Sequence, residues 1–366
     1  MNQTTGVPPM TQPRRNLIDL SVSKIYHCIS RCVRQLSLLD GSGEHPGTSA
    51  NRKAWIEQRL KVLTESFAIS VAEYAVMGNH LHILVRINPE ISSDWTEEEV
   101  FSRWLLANPQ KNLDPCDRAK FEAWISKEKK KPDRARVLRG RLTDLGWFMK
   151  CLKEPIAKLA NAEDNCKGPF WDGRYKSIAV VDEEALLTTA VYIALNPFAA
   201  NLCDAPEKSN FTGLVQRLAH AIEKRPSQKP GSEGIEPLRQ SPVANRRTLG
   251  LVERENWLCP LNDLSVESEG RPGLLKGFSL MGYLELIDYT SRLRRPEKRF
   301  LDAHVPKIFE RLRLCPERWA GRMSLLVKSG QFRGNYFASS RQQLHRVAKT
   351  KGRMRLNNIV PLSGKN

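Results

Sequence analysis

At 366 residues the chain is long enough for two domains, or for one domain with a long extension, and its 40% hydrophobic content supports a packed core. Lysines and arginines outnumber aspartates and glutamates by 58 to 40, a formal charge of +18. That surplus favours a polyanionic partner, nucleic acid first and an anionic membrane surface second, because each neutralised phosphate releases a condensed counterion. No apolar run reaches the ~18 residues of a membrane helix, and the eight scattered cysteines form no Cys-x-x-Cys pair, so neither a membrane protein nor a disulfide framework or cysteine zinc site is expected.

Residues 1–20 are expected to be disordered, being polar with three prolines by Asn16 and lacking a signal-peptide core. That places the chain in the cytoplasm, associated with the nucleoid in a bacterium. Residues 25–33 (Ile-Tyr-His-Cys-Ile-Ser-Arg-Cys-Val) predict a first strand, and 51–64 a helix carrying Trp55, Leu60 and Leu63. A second strand follows at 67–77. The Gly78-Asn79 turn leads to a third at 80–87, closed by Pro89. Residues 91–145 are an insertion, with helices at 96–106 and 117–127 and a basic run at 127–141. A longer apolar helix spans 142–162, and a fourth strand 175–181. Asp182 is an N-cap for a helix to about Leu195, which Pro197 stops.

The order over residues 21–205 is thus βαββ, helices, βα. It predicts an α+β fold, a ferredoxin-like antiparallel sheet with helices. Residues 206–249 are expected to be a linker, most clearly where 224–248 are rich in Pro, Gly, Ser and charge. A mainly helical C-terminal region at 250–350 and a basic tail at 351–366 complete the chain.

Two features carry chemistry. In His80-Leu81-His82 the strand period of two turns both imidazoles to one face, while Leu81 anchors the other. A pair so spaced can share a metal ion. Tyr192 lies on the helix after the fourth strand, and Asn196, four residues on, shares its face. The Asn196 oxygen is a candidate third ligand that brings Tyr192 to the ion. Arg31 and Arg34 after the first strand are candidate phosphate contacts. Trp171, Arg174, Tyr175 and Lys176 mix aromatics with bases, as a surface for unpaired bases would. The runs at 127–141 and 341–355 are candidate duplex or hairpin clamps.

Tyr-His-Cys-Ile-Ser-Arg (26–31), Met-Gly-Asn-His-Leu-His-Ile-Leu-Val (77–85), Phe-Trp-Asp-Gly-Arg-Tyr (170–175) and Tyr-Ile-Ala-Leu-Asn-Pro (192–197) together resemble the single-tyrosine HUH transposases, in particular the REP-associated tyrosine transposases. HUH denotes histidine, hydrophobic, histidine. The chain departs from the pattern at Gly78, where a proline is expected, and at Cys32, where many relatives carry glycine. The resemblance covers roughly residues 20–205. It implies an HUH endonuclease-like fold and a mobile-element transposase that cleaves and rejoins single-stranded DNA near hairpins or repeats. Tyr192 would be the nucleophile, and Mg²⁺ or Mn²⁺ would be held by His80, His82 and Asn196, with no ATP. A homodimer is compatible with the sequence. Two other readings stay open: a non-catalytic DNA-binding module of the same fold, and a replication-initiator or relaxase nickase.

Overall fold

The computed structural model describes residues 17–40, 51–109, 113, 117–223, 257–261, 271–294 and 336–337. Four antiparallel strands form the sheet: β1 (Ile25–Arg31), β2 (Ile69–Val76), β3 (His80–Ile87) and β4 (Lys176–Val180). They lie in the order β2-β3-β1-β4, so the first strand in sequence is central. The two-residue β5 (Tyr336–Phe337) extends the sheet beside β4, in parallel. The fold is α+β, and each strand expected from the sequence is present.

Helices cover both faces. One carries α1 (Asn51–Ser66), α2 (Glu97–Ala107), α3 (Arg118–Lys129), α4 (Arg134–Leu142) and α5 (Leu145–Glu163), packed on Tyr26, Cys28, Leu81, Ile83 and Val85. The other carries α6 (Glu183–Ala194) and α9 (Leu280–Arg294), packed on Ile29, Ala75, Leu84 and Ile178. Between α6 and α9 in the chain lie α7 (Asn196–Ala199) and α8 (Gly213–Glu223). Covering both faces explains why β2 is buried throughout. Among the described residues no helix is long and apolar enough to cross a membrane.

Local signals account for the helix starts. Thr96 and Glu99 form a reciprocal capping box on α2, and Asp144 and Asp182 accept from Trp147 N and Ala185 N at 2.8 and 2.9 Å. Pro155 inside α5 has no N–H, which leaves the Cys151 carbonyl without its helical donor. Arg59 of α1 donates to that carbonyl at 3.0 Å. One proline thus couples α1 to α5. Helix α6 stops at Ala194, close to the expected end, and Pro197 opens a separate short turn, where its missing N–H costs nothing.

The segment after residue 205 departs from the expected linker. Thr212 bridges Ala75, and α8 lies against β2. Its Arg217 is buried and donates to Ala72 O and Cys259 O at 2.6 and 2.9 Å. The polar residues at 224–248 obscure a real helix that starts earlier. Residues 257–261 and 271–278 are largely irregular rather than helical. Cys259 N reaches Val71 O at 2.7 Å, and buried Arg271 donates to the carbonyls of Thr64, Phe67 and Ile69. These contacts satisfy the outer edge of β2, which would otherwise expose unpaired backbone groups. The expected 351–366 tail and residues 1–16 of the segment expected to be disordered at 1–20 lie outside the described residues, while Asp19 N donates to Tyr26 OH at 2.6 Å.

Glu73 of β2 is the polar centre of this clasp. It is fully buried and accepts from Tyr283 OH of α9 at 2.7 Å and from Tyr74 N at 3.1 Å. Burial pushes its carboxyl up to about 7, against the opposing pull of Arg217 and these donors. A Cβ at residue 213 would lie 2.1 Å from Glu73 Oε1, so any larger residue there must push the buried carboxyl aside. Because the folded pKa is raised, the stability linked to this proton is full below about 4.5 and is lost as pH rises to about 7. Urea unfolding from pH 4.5 to 7 should therefore cost wild type about 3 kcal/mol more than Glu73→Gln. Parallel curves would remove Glu73 as the source. Gly213→Ala should lower stability by roughly 1–3 kcal/mol in the same assay.

Candidate active site

The register of the sheet sets the site. His82 lies opposite Ile29 of β1, which lies opposite Lys176 of β4, and Arg31 lies opposite His80. Opposite residues share a face, so His80, His82, Arg31 and Lys176 all face the α6 layer. His27, two residues before Ile29, shares that face and meets His82 diagonally. His27 Nε2 and His82 Nδ1 are 2.9 Å apart, with the rings stacked at 28° and 5.1 Å between centroids. His80 and His82 stand edge to face at 4.9 Å. From α6, the Tyr192 ring meets His82 edge to face at 5.7 Å and His27 at 6.4 Å. The Asn196 side chain hydrogen-bonds His80. Helix α6 and the turn after it thus deliver both expected residues to the histidine pair.

Burial is graded across the cluster. His27 is 0% exposed and His82 4%, while His80, Tyr192, Asn196, Arg31 and Lys176 are half-buried. The histidines form the floor, and the tyrosine, amide and cations form a rim that solvent reaches. Burial drives the titration. His82 is held well below the usual imidazole range, with His27, His80 and Arg31 adding to the effect. His80 falls to about 4, through burial and then the Arg31 charge, and His27 to about 3, through burial and then Lys176. Lys176 is itself lowered by burial and by Arg31. All three imidazoles are neutral at pH 7, the form that binds metals.

Hydrogen bonding fixes which nitrogen of His80 is available. Asn79 Nδ2 donates to Gln35 O at 3.1 Å, which orients its amide, and Asn79 Oδ1 lies 2.6 Å from His80 Nδ1. An amide oxygen only accepts, so His80 Nδ1 carries the proton and Nε2 keeps a lone pair. Among the described residues no group of three or more His, Cys, Asp and Glu side chains forms a metal cage. The donor set is two neutral imidazoles and one amide. That set suits an ion that completes its shell with water and phosphate oxygens.

The remaining expected residues do not join the cluster. Arg34 is exposed on the turn after β1, with a left-handed φ of 53°. Arg174 is exposed, and lines a groove of about 300 Å³ with Lys150 and Lys153 along α5, on the opposite side of the sheet. Trp171 and Tyr175 are packed in the core, 8% and 7% exposed. The Trp171 ring meets Phe170 edge to face and lies against the Lys153 ammonium, and Trp171 and Tyr175 line the same groove as Arg174. The basic run at 127–141 is also partly spent internally. Arg134 pairs with Glu128, Arg139 donates to Ser92 O and Trp95 O, and Arg141 lies over the Trp147 ring at 4.4 Å. The 341–355 run lies outside the described residues. His27 and Asn79 are site residues that sequence reasoning passed over. Period-two spacing from Arg31 puts His27 on the right face, but only the β1–β3 register reveals its partner.

No family model matches the chain, and no curated protein matches it. Among solved structures, a REP-associated tyrosine transposase bound to a REP hairpin is similar at 11% identity and a TM-score of 0.34, covering 63% of this chain and 99% of that one. A likeness at that level carries no argument about fold or activity. The geometry of the cluster makes its own prediction. In a histidine proton-shift titration, His27, His80 and His82 should stay flat from pH 8 to pH 5, and His80 should move near about 4. A midpoint near 6.5 for any of the three would mean that the floor is open to water.

Proposed function

We propose that the chain is a tyrosine HUH-type transposase that cleaves and rejoins single-stranded DNA through a covalent 5′-phosphotyrosine. The observation that carries the reading is the Tyr192 ring set against His82, beside His80 and Asn196, on a rim that solvent reaches. The motif resemblance over residues 20–205 and the +18 charge support the same reading.

In this account Tyr192 Oη attacks the scissile phosphorus and gives up its proton. The bond from phosphorus to the 3′ oxygen breaks, and that oxygen gains a proton as a 3′-hydroxyl. The 5′ phosphate stays on Tyr192 as a diester. The diester conserves the energy of the bond, so attack by another 3′-hydroxyl releases Tyr192 and rejoins DNA without ATP. His80 Nε2, His82 Nε2 and the Asn196 amide oxygen would hold a divalent ion. Bound there, Mg²⁺ or Mn²⁺ would polarise the scissile phosphate and offset the charge that develops on it. Arg31 and Lys176 flank the histidines and hold the phosphates on either side of the break. Arg34 and Arg174 are exposed cations suited to more distant backbone contacts. The histidine floor excludes water beneath the reacting tyrosine, which favours transfer to DNA over hydrolysis.

End-labelled single-stranded hairpin oligonucleotides from the DNA flanking the gene, incubated with Mg²⁺ or Mn²⁺, test this directly. Wild type should give a metal-dependent, denaturant-resistant adduct. Tyr192→Phe should give none, and His80→Ala should lose on the order of 10²–10³-fold in rate. Tight hairpin binding with no adduct under any divalent metal would make the chain a binding module instead.

A further inference from the structure

Outside the residues already assigned, the cluster contains one group with no role. His27 is 0% exposed, and it meets His82 at hydrogen-bond distance and the Tyr192 ring edge to face. We infer that His27 is a positioning residue, which accepts a hydrogen bond from His82 Nδ1–H and so holds the His82 Nε2 lone pair toward Tyr192 and His80. The inference rests on the proposed reading that His80 and His82 are the ligands of one ion.

The argument is one of proton placement. The contact between His27 Nε2 and His82 Nδ1 is 2.9 Å, a hydrogen-bond distance, and it needs one proton between two nitrogens. Whichever ring supplies that proton, His82 Nδ1 is occupied, so Nε2 is the one atom of His82 able to ligate. If His27 donates, His82 is neutral only with its own proton on Nε2, and it cannot ligate at all. If His82 donates, its Nε2 carries a lone pair. His80 already shows the second arrangement, because Asn79 Oδ1 obliges Nδ1 to carry the proton. The two histidines then present like atoms, each ring held at Nδ1 by a separate acceptor. Buried acceptors behind metal-binding imidazoles commonly fix tautomer and ring angle in this way. Here the acceptor behind His82 is a neutral imidazole rather than a carboxylate. It adds no negative charge to a floor that must meet DNA phosphate.

The test replaces His27 by Phe, which preserves the ring without an acceptor, and by Gln, whose Oε1 reproduces the position of Nε2 as an acceptor. Two-bond proton–nitrogen spectra of the metal-free protein should show His82 protonated on Nδ1 in wild type and in His27→Gln, and a mixture in His27→Phe. Mn²⁺ titration followed by electron paramagnetic resonance should show roughly 10- to 100-fold weaker binding in His27→Phe, and within a few-fold of wild type in His27→Gln. A wild-type His82 protonated on Nε2 overturns the inference whatever the metal does. Equal Mn²⁺ affinity in wild type and His27→Phe overturns it too, and leaves the proposed function standing. No Mn²⁺ binding by wild type removes the proposed metal site, and this inference with it.

Discussion

The pairing of β3 with β1 is the constraint on which the site depends. Ile29 faces His82, and that register alone puts His27, His80, His82, Arg31 and Lys176 on one side of the sheet. A slip of one residue would turn both histidines into the layer under α1 and α5. The alternation of core residues prevents it. Leu81, Ile83 and Val85 fill that opposite layer, where they pack in the larger apolar cluster. The same residues that stabilise the sheet therefore aim the imidazoles.

The second dependence is electrostatic. Five potential cations meet in a small volume, but burial leaves the three imidazoles neutral, so only Arg31 and Lys176 carry charge there. The floor supplies lone pairs and the rim supplies positive charge. Under the proposed reading, the rim would grip the flanks of an anionic substrate and the floor would serve its centre. The remaining positive surface is less available than composition suggests, because several bases of the insertion hold α2, α3 and α4 together.

Much of the fold was legible because its signals are local. The strand from Ile69 to Val76, the capping aspartates and the period of two in His80-Leu81-His82 each need only a short stretch of chain. Tyr192 and Asn196 were legible for the same reason, being one helical turn apart. The features that were missed are non-local. The partner of His27 is 55 residues away, across a register that no sequence pattern states. Trp171 looks the same in sequence whether it stacks on a base or packs against Phe170. Helix α8 was masked by the Pro- and Ser-rich residues that follow it, and the buried role of Arg217 depends on a carbonyl from residue 259.

The central claim is that Tyr192 becomes covalently joined to DNA. Mass spectrometry of the digested protein, after incubation with single-stranded hairpin DNA and Mn²⁺, addresses it most directly. The account predicts that the peptide containing Tyr192 carries a nucleotide mass through a 5′ phosphodiester on the phenolic oxygen. Unmodified Tyr192 peptide beside cleaved DNA, or the nucleotide mass on another residue, would contradict it.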